Sequence, residues 1–159
     1  MKRSRALTPL SSEHHQALLA AFQIKKSLAG HPESAGAPKD LSGLLSLARR
    51  FASSVLEPHL RVEEEVLPDH LAGAEARRLA AEHAELRRLV AATTRARMAE
   101  QRVQLGAFAD LLERHVRWEE RELFPALEAR AGQAGLDAIG AELERRLVLA
   151  GQGPKAGKP

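Results

Sequence analysis

A chain of 159 residues with a net charge of +3 and neither cysteine nor tyrosine is long enough for one full core and too short for two. Without cysteine, disulfides, zinc ribbons, iron–sulfur ligation and thiol catalysis are excluded together, and without tyrosine so is tyrosyl-radical chemistry. The composition is rich in Ala, Leu, Arg and Glu, all strong helix formers, and poor in β-branched and aromatic residues, so no strand is predicted.

Ser11 and Ser12 are good caps for a first helix over about Glu13–Ala29, with Leu18, Leu19, Phe22 and Leu28 at helical spacing. Gly30, His31 and Pro32 stop it, and the stretch to Lys39 reads as a loop. Asp40 can cap a long second helix, Leu41–Leu67, whose apolar stripe includes Leu44, Leu45, Ala48, Phe51 and Val55. Pro58 lies inside it and is expected to loosen the helical ladder, and Pro68 to end it. A third helix is expected from near Ala74 to Met98, and a fourth over about Val103–Ala129. Their break is placed near Ala99, Glu100 and Gln101, where the apolar stripe lapses. Gly132 and Gly135 precede a short fifth helix, about Leu136–Leu149.

Short connections between long amphipathic helices predict an all-α, up-down-up-down antiparallel four-helix bundle with a short C-terminal fifth helix. Residues 1–10 read as a basic N-terminal segment, 11–130 as the bundle, 131–150 as the short helix and 151–159 as a flexible tail. The basic excess sits at the ends, on Lys2, Arg3, Arg5, Lys155 and Lys158, where chains are usually disordered. No recognition-helix pattern or aromatic-basic interleaving accompanies it, so nucleic acid is not an expected partner. No apolar run follows the basic N-terminus, and none approaches the ~18–20 residues of a membrane span. A soluble, cytoplasmic protein is expected.

Two segments resemble each other more than helical composition requires. One reads His59-Leu60-Arg61-Val62-Glu63-Glu64 and leads to Pro68; the other reads His115-Val116-Arg117-Trp118-Glu119-Glu120 and leads to Pro125. His-x-x-x-Glu places imidazole and carboxylate on one helix face, about 6 Å apart along the axis, within reach of one metal or of two neighbouring ones. A single copy reads as a surface ion pair; two in matched context do not. In an up-down-up-down bundle, moreover, the start of the first helix, the end of the second, the start of the third and the end of the fourth share one level. His14 and His15, His59 with Glu63, His83, and His115 with Glu119 all fall at that level, within about two turns.

Together, Glu13-His14-His15, His59-x-x-x-Glu63-Glu64-Glu65, Glu82-His83 and His115-x-x-x-Glu119-Glu120 resemble the hemerythrin family in its bacterial hemerythrin-like, HHE cation-binding branch, over about residues 7–130. The resemblance implies two iron ions in an oxo- or hydroxo-bridged centre. His15 and His59 would bind one iron, His83 and His115 the other, and Glu63 and Glu119 would bridge them. One departure stands out. Oxygen-carrying members place a second histidine one turn after the third-helix ligand, and here that position is Arg87. The vacant donor implies redox turnover or sensing rather than oxygen transport, with oxygen or another small oxidant as the partner. Arg87 itself is expected either to bring a cation near the metal pair or to swing into solvent.

Adjacent helical residues point about 100° apart, so only one of His14 and His15 can face the site. His15 is favoured, because Leu18, Leu19 and Phe22 fall on its face. His31 and His70 read as solvated loop residues. Glu64, Glu65 and Glu120 are expected off the inner face, Glu13 and Glu82 as surface charges, and Trp118 either as a wall of the site or as core. The competing classes are a di-iron peroxidase or oxidase-like enzyme, a ferritin-like carboxylate bundle and a metal-free interaction bundle. The ferritin-like class needs Glu-x-x-His, and no histidine of this chain has Glu three residues before it.

Overall fold

The computed structural model of the protein describes residues 4–94 and 96–149. The expected tail and the basic residues Lys2 and Arg3 lie outside them. Six α-helices form the bundle: α1 (Thr8–Leu28), α2 (Leu41–Phe51), α3 (Glu57–Val66), α4 (Gly73–Ala92), α5 (Met98–Trp118) and α6 (Phe124–Leu149). Among the described residues there is no strand, and no helix is long and apolar enough to cross a membrane.

Two five-residue π-helical segments, Ala52–Leu56 and Glu119–Leu123, join α2 to α3 and α5 to α6. Each ends two residues before a proline, Pro58 or Pro125. Proline has no N–H for the helical ladder, and its ring collides with the carbonyl four residues back. A wider turn relieves both problems: Glu57 N–H donates to the Ala52 carbonyl and Phe124 N–H to that of Glu119, each five residues back. The second helix therefore continues past Pro58 with a local change of pitch, as its sequence predicts. The fourth passes Pro125 in the same way and is broken at Gly132, whose φ of 61° and ψ of 178° lie in a region open only to glycine; two helices meet at that kink, and the second, running to Leu149, is the expected C-terminal helix.

Two other boundaries move. The first helix starts at Thr8 rather than after the serine pair, because Pro9 suits the first turn. Ser12 consequently lies inside the helix, its hydroxyl donating to the Pro9 carbonyl. The break after α4 falls at Thr93 and Thr94, whose hydroxyls donate to the Val90 and Ala91 carbonyls and end the ladder before the expected Ala99. Glu100 then accepts from the Arg97 N–H at the start of α5. Asp40 caps α2 as expected, accepting from Gly43 N–H at 2.6 Å.

The core has two apolar clusters. One contains Ala17, Ile24, Leu44, Leu56, Leu60, Leu86, Phe108 and Leu112; the other contains Leu7, Leu10, Val66, Leu79, Trp118, Phe124, Leu143 and Leu147. Between them, on four segments, buried polar residues interrupt the stripe. α1 passes from Leu10 through His14 to Ala17, and α3 from Leu60 through Glu63 to Val66. α4 passes from Leu79 through His83 to Leu86, and α5 from Leu112 through His115 and Trp118 to Glu119 at the π segment. At about 1–3 kcal/mol for each buried polar group left without a partner, such a layer would be a liability unless something is bound there.

Candidate metal centre

The buried polar residues of this layer are His14, His59, Glu63, His83, His115 and Glu119, none more than 5% exposed. They form two overlapping groups, His14–His59–Glu63–Glu119 and Glu63–His83–His115–Glu119, each able to place four ligand atoms within 4.8 Å of one another. The two carboxylates are shared. Glu63 Oε1 lies 3.2 Å from His59 Nε2 and its Oε2 3.4 Å from His83 Nε2. Glu119 Oε1 lies 3.2 Å from His115 Nε2 and its Oε2 3.2 Å from His14 Nε2. The imidazoles pair accordingly, with ring centroids 5.0 Å apart for His14 and His59 and 4.9 Å for His83 and His115.

The expectation that His15 faces the interior is corrected: His14 does, and His15 is exposed. The bulky residues were misleading. Leu19 and Phe22, on the His15 face, are 46% and 44% exposed, whereas Ala17, Ala20 and Ala21 are buried. Small residues let α1 approach α5 closely, so the buried stripe is Leu10, His14, Ala17, Ala21 and Ile24. His59, Glu63, His83, His115 and Glu119 lie where the sequence places them, in the interior, and His31 and His70 are exposed.

Four further acids complete the centre. Each imidazole turns Nε2 inward and Nδ1 outward onto a carboxylate: His14 to Glu120 at 2.6 Å, His59 to Glu13 at 2.7 Å, His83 to Glu64 at 2.9 Å and His115 to Glu82 at 2.8 Å. The expectation that these acids are solvated is corrected; of the flanking set only Glu65 stays outside, paired with Arg146. A signal was available. Each outer acid adjoins an inner residue in sequence, Glu13 beside His14, Glu64 beside Glu63, Glu82 beside His83 and Glu120 beside Glu119. The 100° turn between neighbours aims it at a histidine on another helix. Such carboxylates fix the tautomer of the neutral ring, so that once the imidazolium proton is lost Nδ1 keeps its proton and Nε2 presents its lone pair inward.

Arg87 takes neither expected course. Its guanidinium bridges two acids of α3, with Nε 2.8 Å from Glu57 Oε2 and Nη1 2.7 Å from Glu64 Oε1. These two carboxylates, Glu64 first, hold its pKa above the ordinary arginine value. It is thus spent on the outer face of the His83 environment and is not aimed at the centre. Trp118 is buried, its ring centroid 6.2 Å from that of His115, so it serves both core and site wall.

The inward atoms fit a cation better than they fit one another. The Nε2 atoms of His14, His83 and His115 and both oxygens of Glu63 and Glu119 are buried without a hydrogen-bond partner. Burial pulls the His115 imidazole down, but the Glu119 charge outweighs it and the pKa is pushed up to about 10. Burial likewise opposes the proton on His59, and Glu63 overrides it, holding the pKa well above the ordinary value; His14 is raised by Glu119 and Glu120 against its own burial. On Glu63, burial favours the neutral acid and the His59 charge reverses it, leaving the carboxylate ionised.

Metal capture must therefore displace protons. Because His115 titrates near pH 10, it is protonated in the metal-free protein at pH 7, and coordination needs the neutral ring. Metal uptake at pH 7 should release protons, and apparent affinity should rise with pH toward 10. Calorimetric titration in buffers of different ionisation enthalpy measures the release directly. A binding heat independent of the buffer would contradict this charge state.

A family model, that of the Hemerythrin HHE cation binding domain, matches residues 7–127 and, in a second stretch, residues 77–145. The first stretch contains all six buried residues and all four outer acids. No curated protein and no solved structure matches the chain.

Proposed function

The chain belongs to the hemerythrin HHE cation-binding family, and from that premise we propose that it holds two iron ions and reacts with oxygen or a related small oxidant in sensing or redox turnover. The observation that carries this reading is the sharing of Glu63 and Glu119 between two four-residue groups, each with its own pair of imidazoles. His14 and His59 would hold one iron and His83 and His115 the other, with the two carboxylates bridging. Imidazole with carboxylate is a donor set that iron accepts, and the two anions offset charge that a buried cation pair would leave uncompensated. Bound iron would supply one-electron redox chemistry and coordination positions open to a small ligand.

The chain's own residues supply the rest. Glu13, Glu64, Glu82 and Glu120 hold the imidazoles in one tautomer. A small cavity touches Glu13, His14, His59 and His115 and is otherwise walled by apolar side chains, among them Ala17, Phe51, Val55, Leu112 and Val116. Among the described residues each group has four ligands and no fifth, and Arg87, which stands one turn after His83, is bound to Glu57 and Glu64, which speaks for turnover or sensing over reversible transport. An up-down-up-down course is part of the same reading. It is supported by the order in which α1, α3, α4 and α5 traverse the two core clusters, reversing from each helix to the next.

The test is metal content and reactivity. Protein from iron-replete expression should contain two irons per chain and show charge-transfer absorption in air. After anaerobic reduction, mixing with oxygen should give a stable oxidised form without a long-lived oxygen adduct. One metal per chain would sink the paired reading, and an adduct that releases oxygen under vacuum would restore transport.

A further inference from the structure

The polar layer lies inside the bundle, and a small molecule must cross a wall of helices to reach it. The cavity against His14, His59 and His115 shows where that wall is thin. Eleven residues line it and eight of them are buried; the other three, Glu13 on α1, Phe51 at the end of α2 and Val55 in the first π segment, are partly exposed. The cavity therefore meets the surface at one place, between α1 and the π segment. Glu13 is held there, its Oε2 accepting from His59 Nδ1 at 2.7 Å, so the movable side chains of the mouth are Phe51 and Val55. The wider turn of the π segment helps to keep Phe51, Val55 and His59, each four residues after the last, on one face of the chain.

The free space inside is about that of one water-sized molecule. Leu56, Leu60, Leu112 and Val116, none more than 5% exposed, close its other sides, and a close-packed interior yields little volume to a larger guest. Exposed side chains change rotamer in about picoseconds to nanoseconds, so a molecule of a few atoms can pass Phe51 and Val55 without movement of the helices. We infer that Phe51 and Val55 form the entrance to the buried centre and that their bulk sets its substrate size: molecular oxygen and hydrogen peroxide pass, and organic hydroperoxides do not. The inference rests on the function proposed above, since the entering molecule is taken to react at bound iron.

The experiment measures nitric oxide binding to the reduced, iron-loaded full chain by stopped-flow absorption, with dissociation followed separately by trapping the released ligand. An entrance changes the rates in and out by the same factor and leaves the affinity alone, whereas a residue that touches the bound ligand changes the affinity. Val55→Ala should speed association and dissociation severalfold at unchanged affinity and metal content, and Val55→Phe should slow both. Phe51→Leu should act as Val55→Ala does, and it stands in should a Val55 variant not fold; circular dichroism checks the helices of each. The wild-type protein should also be oxidised far more slowly by tert-butyl hydroperoxide than by hydrogen peroxide, and Val55→Ala should narrow that difference. Leu56 separates the cavity from an open groove lined by Arg49, Leu86 and Arg87, so Leu56→Ala probes a second route. Rates that answer to Leu56→Ala but not to the Val55 and Phe51 variants, or variants that shift the affinity instead of both rates, would overturn the inference. A chain that takes up no iron would instead overturn the functional reading beneath it.

Discussion

Replacing Glu63 or Glu119 by alanine is expected to empty both metal positions at once. Each carboxylate spans the two groups, Glu63 between His59 and His83 and Glu119 between His115 and His14, so one substitution removes a donor from both. It also leaves the facing imidazoles without the anion that draws charge into the layer. The loss should exceed the about 10–100-fold penalty for removing an outer partner, and on the proposed two-iron reading metal content should fall from two per chain to near none. His59→Ala or His115→Ala removes a donor from only one group and should spare the other position in part. Elemental analysis of variants purified side by side reads the difference. If Glu63→Ala retained one full equivalent of metal, the carboxylate would serve a single ion and the shared-ligand geometry would be wrong.

His14→Ala should lower metal content sharply, while His15→Ala should leave it unchanged, although the residues are adjacent. His14 is 3% exposed, with Nε2 facing Glu119 and Nδ1 bonded to Glu120; His15 lies on the exposed face of α1. The expected gap is more than tenfold in affinity at the His14–His59 position, against no measurable change for His15. The two variants form a matched pair, because each removes one imidazole from the same helical turn. Equal loss from both would mean that α1 turns in solution to present either ring.

By itself the sequence determined the helical class, the rhythm of the long helices and the interior placement of His59, Glu63, His83, His115 and Glu119. Those features are local or periodic. Helix formers set the class, and the spacing of four from His59 to Glu63 and from His115 to Glu119 puts each pair on one face whatever the rest of the chain does. The effect of Pro58 was legible for the same reason, since its missing N–H acts on its own helix. The tertiary structure alone decided which of His14 and His15 turns inward. Apolar bulk pointed to Leu19 and Phe22, but close packing of α1 on α5 requires small residues at the contact, and Ala17 and Ala21 set the rotation of the helix. It alone decided the roles of Glu13, Glu64, Glu82 and Glu120, because each reaches a histidine on another helix and such a partnership has no sequence period. It also decided the place of Arg87: the length of its side chain allowed the centre or solvent, and the two acids of α3 standing opposite it captured the guanidinium instead.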